Sequence, residues 1–103
     1  MKIDFGQKIK NIDGTIAKEG GKEEDKDMTL GFICANALLA NIPNENPSGL
    51  DKFKRWELAK KVIGNETVEV TAEDISMMKE LVGKAFGVIV VGQTYQMLEK
   101  KEG

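Results

Sequence analysis

Hydrophobic positions along this chain fall into stretches of different spacing, and the spacing predicts the elements. In residues 3–18, Ile9, Ile12 and Ile16 flank Asp13 and Gly14. An Asp-Gly pair favours a type I′ turn, because both central residues take positive φ, so residues 1–18 are predicted to form a hairpin. Residues 19–27, EGGKEEDKD, offer nothing to bury and read as a solvated, mobile connector. From Leu30 the period becomes helical. Leu30, Ile33, Cys34, Ala37 and Leu38 recur at three- and four-residue steps and build one apolar stripe. Thr29 is placed to cap this helix, which runs to about Asn41 and carries no charge, so it is expected at the centre of the fold.

Pro43 and Pro47 bracket the next loop. Ser48, with Asp51 three residues later, has the capping-box pattern and opens a second helix. Leu50, Phe53, Ala59, Val62 and Ile63 are expected broadly on one face of it. Gly64 and Asn65 end it, as suits a left-handed cap position. Residues 66–70 alternate, with Val68 and Val70 on one side, and predict a short strand. Thr71 and Asp74 repeat the capping-box logic and begin a third helix to about Ala85, striped by Ile75, Met78, Leu81, Val82 and Ala85. Gly87 breaks the chain. Residues 88–92 alone suit a buried strand, but Val91, Tyr95 and Leu98 keep a helical period. The longer pattern favours a fourth helix over residues 88–99.

The expected architecture is α+β, mostly α, with a short N-terminal β-hairpin and about four helices in one compact domain. Residues 1–18 form the hairpin, 19–27 the charged loop, and 28–103 the helical core with its strand at 66–70. A chain of 103 residues is one domain by length and long enough to bury a core without staples.

Chemistry is scarce. The chain has no histidine and a single cysteine, which removes the commonest general base and the ordinary zinc ligand sets. Cys34 lies in an apolar helical pattern and reads as a small buried hydrophobe. The acidic run at 23–27 lacks the alternating spacing of a calcium loop. Gly83, Gly87 and Gly92 match neither phosphate-binding glycine pattern. No catalytic residue, no metal and no cofactor is expected. No stretch approaches the ~20 apolar residues of a membrane span. Residues 1–20 are polar and charged rather than signal-like, so a cytoplasmic location is expected.

Two surfaces remain as candidates. The C-terminal segment is more apolar than a small monomer readily hides, and Val88, Ile89, Val91, Tyr95 and Leu98 are expected to serve self-association or a protein partner. The second helix carries Lys52, Lys54, Arg55, Lys60 and Lys61 against Asp51 and Glu57. With Trp56 it offers a basic surface formed by Lys52, Lys54, Arg55, Trp56 and Lys61. Trp56 suits a core anchor and an interface anchor equally. The basic surface suits an acidic partner better than nucleic acid, because the chain as a whole carries a net charge of −2.

Four blocks in order, MTLGFICANALLA, SGLDKFKRWELAKKV, VEVTAEDISMMKELVGKAF and VVGQTYQMLE, resemble a group of small bacteriophage and prophage proteins. That group has the corresponding TLG…NALL, SG..K..R..LA.K, LTAE.I..IK.LIGKAY and VVGQ.Y.LLE blocks. The resemblance spans nearly the whole chain. It implies a phage gene context, a bacterial host cell and a compact domain, and it transfers no catalytic residue. Together these readings give a non-enzymatic interaction protein, an assembly or accessory factor acting through its apolar C-terminal surface. The alternative is a small nucleic-acid-binding regulator using the basic helix at 50–63.

Overall fold

A computed structural model describes residues 1–99. The last four residues of the expected helical core, 100–103, lie outside the described part. Four helices, α1 (Leu30–Leu39), α2 (Gly49–Val62), α3 (Ala72–Ala85) and α4 (Val88–Glu99), accompany two short strands, β1 (Lys2–Asp4) and β2 (Thr67–Glu69). The fold is α+β and mostly α. A Cα radius of gyration of 13.2 Å is what one domain of this length gives.

Each of the first three helices starts where a hydroxyl can accept an orphan N–H. Thr29 accepts from Phe32 N–H, Ser48 from Asp51 N–H and Thr71 from Asp74 N–H. At α3 the box closes in both directions, since the Asp74 carboxylate also accepts from Thr71 N–H at 3.0 Å. Residues 88–92 are helical, as the longer period predicts.

Helix α1 is central and packs on α2, α3 and α4. Leu30, Ile33, Cys34, Ala35, Ala37 and Leu38 are all buried. Around it the core collects Ile3, Phe5 and Ile9 from the N-terminal region, Leu58 and Val62 from α2, Met78, Leu81 and Val82 from α3, and Leu98 from α4. Each such side chain, fully buried, contributes about 1.5–3 kcal/mol.

The regular strand pairing links distant parts of the chain. β1 runs antiparallel to β2 with Ile3 opposite Val68. The predicted reversal at Asp13 and Gly14 is present, but its arms are not regular strands and its loop is longer than that of a type I′ turn. Lys10 and Ile16 form one antiparallel bridge, and Asn11 N–H donates to Thr15 O at 2.8 Å. Residues 12–14 form the tip, and only Gly14 takes positive φ (90°). Asp13 instead accepts from Thr15 N–H and Oγ1. The three-residue loop puts Ile12 at its tip, 88% exposed, rather than in the hairpin's apolar face.

The charged loop is tied down rather than a free connector. Lys18 bridges Asp27, and Glu19 N–H donates to Lys26 O. Both Lys8 and Lys18 ammonium groups pair with Asp27, and those bonds hold its carboxyl below the usual range, Lys18 contributing most. Three stretches then exchange backbone bonds in a ring: Ile9 N–H to Met28 O, Met28 N–H to Ala17 O, and Ala17 N–H to Ile9 O.

A polar node joins this cap to the helices. Thr29 Oγ1 donates to Asn65 Oδ1 at 2.6 Å, while Gly31 N–H donates to Phe5 O at 2.8 Å. A Cβ on Gly31 would collide with Val62 O and lie 2.7 Å from Asn65 Oδ1. Glycine is required there because three backbone segments meet.

Candidate functional site

The predicted C-terminal surface divides along α4. Val88 is 89% exposed and Ile89 is 48% exposed. Val91 is half-buried against the core. Tyr95 is half-buried, its hydroxyl donating to Lys79 O at 2.9 Å, with the Lys79 ammonium 5.6 Å from the ring centre. Leu98 is fully buried and belongs to the core, not to an interaction surface. The reason is the helical period itself: α4 turns its later apolar residues inward and its first turn outward.

The outward first turn meets the turn tip of the N-terminal region. Ile12, Val88 and Ile89 line one groove together with Gln93 and Gln96. Gln93 fixes the approach. Its Oε1 accepts from Lys10 N–H at 2.8 Å, and its Nε2 donates to Lys10 O at 2.8 Å. A side-chain amide thus pairs with the backbone as a neighbouring strand would, across 83 positions of sequence. An adjoining groove contains Ile9, Ile16, Ile89 and Glu23, so the charged loop borders the same apolar end.

The basic helix places its residues differently from expectation. Arg55 Nη1 bonds Glu45 Oε1 at 2.7 Å, and both side chains are sheltered. That bond holds the Glu45 carboxyl below its ordinary range and raises the guanidinium further. Arg55 therefore fastens the 43–47 loop to α2 and leaves the basic surface. Lys60 pairs with Glu57 at 2.9 Å and lies over the Trp56 ring, 3.8 Å from its centre. Lys52, Lys54 and Lys61 are exposed and, among the described residues, carry no ion pair.

The apolar residues of α2 do not share one face. Leu58, Ala59 and Val62 are buried, while Leu50 is 63%, Phe53 54%, Trp56 49% and Ile63 49% exposed. Phe53 and Val62 are nine positions apart, which at 3.6 residues per turn is roughly half a revolution. The expected single stripe is in fact two arcs, one facing α1 and one facing solvent. Phe53 and Trp56 lie against each other, ring centres 6.4 Å apart. The steps of three residues from Leu50 to Phe53 to Trp56 were the signal for this second arc.

Cys34 is fully buried in α1, and burial pushes its thiol up to about 12, so it is neutral and shielded at physiological pH. Among the described residues no three His, Cys, Asp or Glu side chains gather where they could hold a metal. Among the same residues no helix is long and apolar enough to cross a membrane. No family model, no curated protein and no solved structure matches the chain.

Proposed function

We propose that this chain is a non-enzymatic interaction protein, of the phage or prophage kind its sequence blocks resemble. It acts in the bacterial cytoplasm as an assembly or accessory factor. The reading rests on one observation. Val88 and Ile12, 89% and 88% exposed, come from opposite ends of the chain and line one groove with Ile89. Isolated exposed apolar residues are ordinary on a soluble domain, but apolar side chains converging on one site are characteristic of contact surfaces. The Gln93 clamp holds the two halves of that site in register.

Light scattering after size exclusion, at micromolar and tenfold higher concentration, tests this. The expected result is a mass above the monomer that returns toward it in a Val88→Lys variant of unchanged helix content. If the variant keeps both its fold and the wild-type mass, self-association through this end is refuted.

A second reading has its own observation. Lys54 and Lys61 line one groove with Phe53, though beside Glu57, Glu73 and Asp74, the Trp56 ring lies against Phe53, and basic tracks beside aromatic platforms bind single-stranded nucleic acid. Such binding weakens steeply with salt as counterions are released. The net charge of −2 and the Lys60 ammonium already seated on Trp56 weigh against it. Titration with single- and double-stranded oligonucleotides at low salt decides the matter, and an absence of binding eliminates the reading.

A further inference from the structure

The first turn of α4 is helical against the preference of its own residues. Val88, Ile89, Val90 and Val91 are β-branched side chains in a row, set between Gly87 and Gly92. Such residues lose rotamer freedom in a helix and favour extended backbone, which is why this segment read alone suits a strand. The starts of α1, α2 and α3 are each capped by a hydroxyl. Helix α4 follows Gly87, which has no side chain to accept a first-turn N–H.

The two ends of α4 are held unequally. At its far end Thr94 and Leu98 are fully buried, the Tyr95 hydroxyl donates to Lys79 O, and the Lys79 ammonium pairs with Glu99 at 3.0 Å. At its near end Val88 and Ile89 are exposed. Among the described residues, every hydrogen bond between residues 8–18 and α4 is made by Gln93, with the N–H and the C=O of Lys10. The neighbouring groups, Asn11 N–H and Ile9 O, bond to Thr15 and Ala17 instead. Lys10 therefore turns its polar groups to the open edge of this stretch, where the amide of Gln93 stands in for a further strand. Gln93 Nε2 also donates to Ile89 O at 3.2 Å, so one amide ties that edge to a carbonyl of the first turn. These bonds lie at the surface, where water competes for both partners.

We propose that Gln93 is a latch on a metastable first turn of α4. With the latch closed, residues 88–91 are helical and hold Val88 and Ile89 beside Ile12. When Gln93 leaves Lys10, the turn unwinds, the bond from Val91 N–H to Gly87 O is lost, and the groove formed by Ile12, Val88 and Ile89 dissolves. The inference rests on the interaction reading above for its purpose, since the latch decides whether the proposed contact surface exists.

Amide hydrogen exchange, followed by NMR on the dilute full chain, tests the coupling. One opening governs both sites, so Lys10 and Val91 are expected to show the same protection, below that of Ile75, whose N–H bonds Thr71 O in the core-facing α3. Gln93→Met removes the amide and keeps an unbranched side chain. It is expected to speed exchange at Val91 about tenfold, since each hydrogen bond lost is worth a factor of several, and to leave Ile75 unchanged. Val88→Ala favours the helix at an exposed position. It is expected to slow exchange at Lys10 about threefold, although Lys10 belongs to the other end of the chain. If Gln93→Met speeds Lys10 and leaves Val91 as it was, the amide is a single surface bond and the latch is overturned. Unaltered Lys10 exchange in Val88→Ala overturns it equally, and this variant carries the test by itself should Gln93→Met lose its fold. Light scattering separates the two proposals: a wild type that stays monomeric overturns the interaction reading, and the exchange rates decide the latch independently of it.

Discussion

Helices α1 and α2 pack against each other and use their apolar residues in opposite ways. In α1 the apolar residues are spent almost entirely on the interior, with Ile33, Cys34 and Ala37 fully buried. In α2 only Leu58, Ala59 and Val62 turn inward, and Leu50 with the two aromatic side chains, Phe53 and Trp56, faces solvent. Bulk and burial are thus uncoupled in α2. A helix that needed those residues for stability would turn them toward α1, so the difference separates a structural helix from one that presents a surface.

The contrast can be broken most directly at Ile33. Ile33→Ala is expected to lose about 2–5 kcal/mol, since the site is enclosed and the cavity cannot collapse fully; chemical denaturation measures it. Gly31→Ala should cost about 1–3 kcal/mol through backbone displacement at the Phe5, Val62 and Asn65 junction. Comparable stability to wild type there would mean that the close approach is not required. Thr94 sharpens the rule from the other direction. Its Oγ1 is buried and has no hydrogen-bond partner among the described residues. Thr94→Val should raise stability by about 1 kcal/mol, because an unsatisfied hydroxyl is costly to enclose, and a lower melting temperature would contradict this. The smallest effect belongs to α2. Phe53→Ser should shift stability by no more than about 0.5 kcal/mol, and a loss comparable to Ile33→Ala would erase the distinction between the two helices.

These differences also mark where sequence reading succeeds. Thr29, Ser48 and Thr71 were legible as helix starts because capping is local, settled within three residues. The inward stripe of α1 followed from one unambiguous period, and so did that of α3 as far as Val82, whereas Ala85, expected in the same stripe, is exposed at the end of the helix. In α2, Phe53 and Val62 both fit an apolar spacing yet point apart, and only the position of α1 decides which arc is covered. The pairing of Lys2–Asp4 with Thr67–Glu69 depends on tertiary packing, so nothing near either segment announces it. At the candidate surface, an excess of apolar residues at Val88 and Ile89 was visible in the sequence. The contribution of Ile12 was not, because an isoleucine at a turn tip resembles one in a strand until the loop length is known. Leu98 shared the helical period of the surface residues, and the fold alone assigns it to the core.

The chain has one tryptophan, and it sits on the outer arc of α2 beneath the Lys60 ammonium. Its fluorescence therefore reports the wrong thing for a folding experiment and the right thing for an encounter. A half-exposed indole is already wet in the native state, so unfolding changes its emission little and a fluorescence melt would understate the transition. Anything that settles on α2 would dry the ring or displace the ammonium above it, and the emission would move to shorter wavelength. The molecule carries its own dye on the face that α2 turns to solvent.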